Sequence, residues 1–126
     1  MAKKVIHTAR IILGAIFLIF GLNGFYVFIP VPEFHPFMEI LVSSGYIYFI
    51  KTAEVVGGIL LLTNRLVPLA LIILAADIIN ITIYHVLLDP RNWIIVPILW
   101  VLLFVVLYGY RNYFKSLLTL KPKINI

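Results

Sequence analysis

Four long apolar segments divide the chain, and each is close to the length of a membrane-spanning helix. About 20 apolar residues cross the hydrocarbon core when they form a helix with a rise of about 1.5 Å per residue. The segments cover residues 5–28, 46–62, 66–88 and 93–110. The three residues Thr63, Asn64 and Arg65 separate the second segment from the third. The pattern predicts a single all-α domain over residues 1–126, an integral membrane four-helix bundle.

The composition argues against an ordinary soluble domain. Hydrophobic residues make up 63% of the chain and charged residues 12%, whereas soluble domains have roughly 45–50% apolar and about 25% charged residues. A chain of 126 residues cannot bury that much apolar surface in one core, so lipid is its natural solvent. The charges concentrate near the two ends and there is no cysteine. We therefore predict a lipid bilayer as partner, no nucleic-acid face, no thiol chemistry and no metal site.

Lysine and arginine residues predict the orientation in the membrane, because cytoplasmic segments are richer in them. An even number of spans places both termini on one side. If that side is cytoplasmic, it holds eight basic residues and the outer side holds only Arg91. The eight are Lys3, Lys4, Arg10, Arg65, Arg111, Lys115, Lys121 and Lys123. We expect a multi-pass protein of a bacterial-type inner membrane with cytoplasmic termini.

A stripe that contains three glycines runs along one face of the first span. Arg10, Gly14, Phe17, Gly21 and Gly24 recur at spacings of three and four residues, within about 80° of one another around a helix. A stripe of this kind lets another helix approach closely, so helix packing is its simplest interpretation. On the second span, Gly57 and Gly58 leave similar room for a backbone or a ligand. Asn23 lies on a different face of the first span, near its outer end.

Charged residues inside the second and third spans are the main candidates for function, because ionisable groups are costly in lipid. Lys51 lies 13 residues before Asn64 and Asp77 lies 13 residues after it. A short turn at Asn64 forces an antiparallel hairpin, so the two residues are expected at one depth. We predict an ion pair between Lys51 and Asp77, direct or bridged by water. Glu54, one turn from Lys51, either shares Lys51 or carries a proton.

A polar stripe continues along the third span. Asp77, Asn80 and Tyr84 fall within a wedge of about 60°, with His85 at its edge. Their positions run from mid-membrane to the outer surface. Each is a candidate ligand-binding or proton-relay residue, although hydrogen-bonded packing is the alternative for His85. We expect an outward-facing pocket between the first three spans.

Residues 29–45 connect the first and second spans. Pro30, Pro32 and Pro36 exclude a regular helix at the start of this connection. A short interfacial helix over residues 37–42 is predicted after them. It is either a plain connector or a lid over the pocket.

Several motifs resemble the DoxX and DoxX-like membrane proteins. They are RIILGAIFLIFGLNGF, a proline-rich loop, EVVGGILLLTNRLVPLAL and NITIYHVLLDP, and together they cover most of residues 10–91. The resemblance implies a four-helix membrane bundle, with relatives linked to quinone-coupled oxidation of thiosulfate or to oxidative-stress proteins. The family-like positions are Arg10, Gly14, Gly21, Asn23, Glu54, Gly58, Asn80 and His85. Two positions depart from the family pattern, since position 51 is usually apolar and position 77 is expected to be proline.

Three functions compete at this stage. The first is a redox-associated subunit that binds a quinone or another apolar molecule through Glu54, Asn80, Tyr84, His85 and Asn23. A redox partner protein or the ligand itself then supplies the electrons. The second is a non-enzymatic scaffold or assembly factor that docks partner helices on its glycine stripe. The third is a small proton-coupled transporter, which favours a homo-oligomer because four spans are few. Whether the chain is an enzyme stays open.

Overall fold

The computed structural model describes residues 1–26 and 35–124, and these residues form an all-α bundle without strands. The α-helices are α1 (Ala2–Phe25), α2 (Pro36–Ser44), α3 (Tyr46–Leu62), α4 (Val67–Leu87) and α5 (Ile95–Gly109), and a 3₁₀ helix covers Arg111–Leu118. The predicted all-α class is confirmed. Each of the four apolar segments contains one long helix. The predicted end of the first segment at residue 28 and most of the proline-rich connection lie outside the described residues.

Helix length and hydropathy make the chain a membrane protein. By these two properties α1 and α4 are each suited to cross a bilayer. α3 and α5 are shorter, with 17 and 15 residues, and each continues into a neighbouring helix after a bend of 87°. α3 is preceded by α2, and α5 is followed by the 3₁₀ helix. The described residues therefore provide two spanning helices, or four when each bent pair counts as one span.

The four long helices form a ring in which α1 and α4 each pack against both α3 and α5. Their shared core is aliphatic apart from Phe17, and all of its largest side chains are fully buried. These are Leu13, Phe17, Leu61, Leu71, Leu74, Ile78, Leu99, Leu103 and Val106. Among the described residues, polar contacts join α5 and the residue after it, Tyr110, to the hairpin helices and their turn. Trp100 Nε1 donates to Thr82 Oγ1 at 2.8 Å, and the Tyr110 hydroxyl donates to Asn64 Oδ1 at 2.9 Å.

Glycines bring the backbones of α1 and α3 into direct contact. A Cβ atom at Gly58 would lie 2.7 Å from Leu18 N and 2.8 Å from Gly14 O. At Gly21, an added Cβ would meet Val55 Cγ2 at 2.6 Å and Val55 N at 3.0 Å. No side chain fits at such distances. The stripe on α1 is therefore covered by α3 of the same chain.

Arg10 lies at one end of the α1–α3 interface, close to the connection between α3 and α4. Its side chain is buried, and its guanidinium donates to the backbone carbonyls of Leu61 and Leu62 at the last turn of α3. The last carbonyls of a helix have no partner within the helix and carry partial negative charge. Arg10 neutralises them, which explains how a cation is accommodated within the apolar stripe.

The turn between α2 and α3 depends on one glycine. Gly45 has a φ of 82°, in the left-handed region that residues with a side chain rarely adopt. It ends α2 and lets α3 begin at the next residue in a nearly perpendicular direction. His35 starts α2 by accepting a hydrogen bond from the Phe37 backbone N–H through Nδ1, at 3.1 Å. A short helix is present where residues 37–42 predicted one.

We predict that Gly58→Ala lowers the stability of the bundle by about 1–3 kcal/mol, because the new methyl group meets backbone atoms that cannot move aside. Thermal unfolding of the purified protein in one detergent measures the loss. Gly109→Ala is the matched control, since the atoms nearest to its new methyl group belong to the half-buried side chain of Ile6 and not to a backbone. Equal losses for the two variants would contradict a backbone contact at Gly58.

Candidate functional site

A cavity of about 450 Å³ lies between α2, α3 and α4. Ligand pockets typically have volumes of about 300–1,000 Å³ and mostly apolar walls with a few polar groups. This cavity has both properties. Its aromatic and aliphatic lining includes Phe37, Met38 and Leu41 of α2. Its polar lining consists of Lys51, Glu54, Asp77, Asn80 and Tyr84.

The position of the cavity differs from the sequence prediction in one respect. We expected a pocket between the first three spans, but the described residues of α1 contribute nothing to its lining. α1 packs so closely on α3 at Gly14, Gly21 and Gly58 that no space is left between them. α2 takes the third side instead, so the short connecting helix forms part of the cavity wall.

Lys51 pairs with Glu54 and not with Asp77, which corrects the predicted ion pair. Lys51 Nζ lies 3.0 Å from Glu54 Oε1, between side chains one turn apart on α3. The prediction counted residues outwards from Asn64 and assumed symmetric helices. In the structure Glu54 faces Asp77 and Gly57 faces Leu74. This register places Lys51 one turn, about 4.5 Å, farther from the hairpin than Asp77.

The hairpin turn explains the offset. The connection is four residues long, 63–66, and not three. Asn64 and Leu66 both have left-handed backbone conformations, with φ of 56° and 48°. A left-handed leucine at the helix start is not visible in a hydropathy pattern. Counting residues from the hairpin connection therefore predicted the depth of a side chain in the bundle only to within about one turn of a helix.

Glu54 and Asp77 form a carboxyl pair across α3 and α4. The two side chains lie close enough to interact across the helix pair. Glu54 is buried, with 3% of its surface exposed. Glu54 Oε1 is buried beside the Lys51 ammonium. Asp77 Oδ2 is buried as well, and it accepts no hydrogen bond from a donor in the described residues. Because ionised carboxylates only accept hydrogen bonds, a bond between these two groups requires a proton on one of them.

Gly24 makes room for the lysine. The methylene stem of Lys51 lies where a Cβ atom on Gly24 would be, 2.3 Å from Lys51 Cγ and 2.8 Å from Lys51 Cε. The stem therefore packs on α1 while the ammonium group reaches Glu54. The glycine stripe thus has two roles along its length, helix contact at Gly14 and Gly21 and space for a charged side chain at Gly24.

Asn80 and Tyr84 both line the cavity, as do Glu54 and Asp77. The Asn80 amide Nδ2 donates back to the Ala76 carbonyl at 3.1 Å. The Tyr84 ring contacts Phe37 of α2, with 6.0 Å between ring centroids. α4 therefore presents its polar stripe to the cavity from Asp77 to Tyr84.

His85 and Asn23 do not join this group. His85 Nδ1 lies 3.0 Å from the Asp89 backbone carbonyl oxygen at the end of α4, and the cavity lining does not include it. One helical position past Tyr84 is enough to turn its ring away from the cavity. Asn23 is half-buried on α1, which forms no part of the lining. Neither predicted role in ligand contact agrees with these positions.

A second charged pair, which the sequence analysis missed, lies just after the C-terminal end of α4. Arg91 Nε donates to Asp89 Oδ1 at 2.9 Å and Arg91 Nη2 donates to Asp89 Oδ2 at 2.7 Å. The Tyr84 hydroxyl also donates to Asp89 Oδ2, at 3.3 Å. These contacts hold the pKa of Asp89 well below its usual range, and the hydrogen bonds from the Arg91 side chain contribute most. The Asp-Pro-Arg sequence at 89–91 is a usable signal for such a pair, because its acidic and basic residues are two positions apart.

No protein-family model, curated protein or solved protein structure matches this chain. Functional inference therefore depends on the geometry of the site. The cavity offers an apolar, aromatic space with a lysine, two carboxyl groups and an amide on its wall. Such an arrangement can hold an apolar molecule by its ring and bind a polar head group.

We predict that Arg91→Ala raises the pKa of Asp89 towards the ordinary carboxyl value of about 3.9. Because folding lowers the pKa of Asp89, ionised Asp89 stabilises the folded state at pH values above the ordinary carboxyl pKa. This contribution to stability is lost as the pH falls through the lowered pKa of the folded state. An NMR titration of the Asp89 side-chain carboxyl carbon measures the change. Arg65→Ala, which removes an exposed arginine near the hairpin, is the control and leaves the titration unchanged. An identical titration in wild type and Arg91→Ala would refute the assignment.

Proposed function

We propose that this chain is a DoxX-like membrane protein and a redox-associated subunit that binds a quinone or a similar apolar small molecule. The ligand occupies the cavity between α2, α3 and α4. Its ring lies among the aromatic side chains, and its head group meets Glu54, Asp77 and Asn80. We place the protein in a bacterial-type inner membrane with cytoplasmic termini, following the distribution of basic residues.

One observation supports this proposal most directly, namely a cavity of about 450 Å³ whose largely apolar lining includes polar side chains from α3 and α4. Phe37, Tyr46, Phe49 and Tyr84 supply aromatic rings on three helices. Offset stacking between aromatic rings contributes about 0.5–1.5 kcal/mol beyond burial of their area. A flat ring with a polar substituent fits this combination of walls better than an aliphatic chain does.

The absence of cysteine bears on the redox role. Thiol and disulfide chemistry cannot operate within this chain, so in a redox reaction the electrons come from a partner protein or from the ligand. We therefore assign the chain the binding of the small molecule and assign the electron source to a partner subunit.

The scaffold hypothesis receives less support. It relied on the glycine stripe of α1 as a docking surface for partner helices. Gly14 and Gly21 face Gly58, Leu61 and Val55 of α3, so the stripe is occupied within the chain. A partner helix has to use another face.

We predict that Ile50→Trp, which adds an indole to the cavity lining, lowers the amount of co-purified ligand. A loss of about 1.4 kcal/mol in binding reduces affinity tenfold, and the larger ring fills space that the ligand needs. Mass spectrometry of solvent extracts from the purified protein measures the ratio of quinone to protein.

Val56→Trp is the matched control, because Val56 lies on the same helix, is exposed and is outside the lining. It retains the ligand at the wild-type ratio. Extracts of the wild-type protein without quinone or any other apolar ligand would contradict the proposed function. Equal retention by Ile50→Trp and Val56→Trp would contradict the assignment of the ligand to this cavity.

A further inference from the structure

Exposed basic residues gather at one end of the bundle, which we call the basic end. A Cβ atom at Gly109, the last residue of α5, would lie 2.5 Å from Ile6 Cγ2 on α1. The Tyr110 hydroxyl donates to Asn64 of the α3–α4 connection at 2.9 Å. These contacts bring the start of α1, the α3–α4 connection and the end of α5 into one layer. The exposed basic residues of this layer and of the tail that follows it are Lys3, Lys4, Arg65, Arg111, Lys115, Lys121 and Lys123.

The described part of the chain contains no acidic side chain that balances the basic end. The salt bridges at Glu54 and Asp89 use Lys51 and Arg91, which do not belong to this layer. The acidic residues that the structure describes all lie elsewhere in the bundle, namely Glu39, Glu54, Asp77 and Asp89. The basic end therefore has a net positive charge, and a partner with negative charge is needed to neutralise it.

The 3₁₀ helix Arg111–Leu118 lies across this end of the bundle, because its axis makes an angle of 87° with that of α5. Phe114 packs against the core and fixes the segment there. Tyr113, Leu117 and Leu118 remain exposed. A segment that combines cations with exposed apolar side chains is typical of the membrane interface, where headgroups meet acyl chains.

Arg111 is held in place at the start of this segment. Its Nη1 donates to the Tyr108 carbonyl at 2.7 Å, and its guanidinium carbon lies 4.2 Å from the centre of the Tyr108 ring. A guanidinium group has five N–H donors in a rigid fork that matches the geometry of a phosphate group. The bond to the carbonyl uses one of these donors, so others are left for phosphate oxygens.

We propose that the basic end binds the headgroups of anionic phospholipids, with Arg111 and Lys115 of the 3₁₀ helix as the principal contacts. A lipid fits this surface better than an acidic protein does, because acyl chains also cover the exposed leucines among the cations. The cavity lies towards the opposite end of α3, between α2, α3 and α4. The inference is therefore independent of the function proposed for that cavity.

The test compares two lipids that have the same acyl chains and differ in headgroup charge. Dioleoylphosphatidylglycerol, which is anionic, or dioleoylphosphatidylcholine, which is zwitterionic, is added to the delipidated full chain in a neutral detergent. Native mass spectrometry measures the dissociation constant of the first bound lipid. We expect the anionic lipid to bind about 10-fold more tightly, since each basic residue near an anionic surface strengthens binding about fivefold. A higher concentration of ammonium acetate reduces this preference, because salt screens exposed charges.

Arg111→Gln lowers the affinity for phosphatidylglycerol about fivefold and leaves that for phosphatidylcholine unchanged. Arg91→Gln is the matched control, because it removes the same charge beyond the opposite end of α4, and it keeps the wild-type preference. Arg111→Lys restores most of the preference if the charge is what matters. Lys115→Gln is a second variant on the same segment, at an exposed position. Circular dichroism and size-exclusion chromatography establish that each variant is folded.

The wild-type protein decides the proposal first. Equal affinities for the two lipids overturn it and favour an acidic protein segment as the partner. An equal loss of preference in Arg111→Gln and Arg91→Gln indicates a general effect of net charge and overturns the assignment to the basic end. An unchanged preference in both Arg111→Gln and Lys115→Gln overturns the role of the 3₁₀ helix. If Arg111→Gln does not fold, the comparison of Lys115→Gln with Arg91→Gln decides that role.

Discussion

The direct contact of two helix backbones organises this small bundle. Gly58 approaches Gly14 and Leu18 so closely that no side chain fits between the helices at this point, and this contact defines the position of α3 against α1. That position sets the rotation of α3, and the rotation points Glu54 towards α4 while Lys51 rests on α1. Lipid provides no hydrophobic drive for helices to associate, so close van der Waals contact between small residues has to supply it. The cavity is the space that remains on the other side of α3, where the helices are farther apart.

The charged residues of the site follow the same logic. A lysine and two carboxyl groups in the interior of a membrane protein persist only if they meet each other or water. Here Lys51 meets Glu54 on one helix, and Glu54 meets Asp77 on the next. The middle residue, Glu54, is the most buried of the three. Two helices are therefore joined through a single side chain that contacts partners on both.

Much of the fold was predictable from the sequence, because the apolar segments are long and their interruptions are clear. The four helices, the helix after the proline-rich connection and the α3–α4 hairpin all follow from hydropathy, proline and short turns. Which residues would line a shared polar surface was also largely predictable from helical spacing, as Asp77, Asn80 and Tyr84 show. His85 fell outside that surface because one residue corresponds to a rotation of about 100° around the helix.

The remaining details depend on geometry that a sequence pattern does not contain. The partner of Lys51 changed because the hairpin has left-handed residues at Asn64 and Leu66, which shift one helix along the other. Arg10 looked like a cytoplasmic cation, yet its buried guanidinium contacts the end of α3. The Asp89–Arg91 pair lies in a turn where hydropathy contains no information. In each case a backbone carbonyl or a turn conformation decided the outcome.

The unequal lengths of the four long helices have a consequence for the surrounding bilayer. α3 and α5 measure about 26 Å and about 22 Å along their axes, against a hydrocarbon thickness of about 30 Å. They occupy opposite corners of the ring, and each ends in a segment that runs nearly at right angles to it. A helix shorter than the hydrocarbon thickness favours a thinner bilayer around it, and crosswise amphipathic segments are most stable at the membrane interface. The two shorter helices therefore favour a locally thinner bilayer, and the cavity between α2, α3 and α4 lies beside one of them.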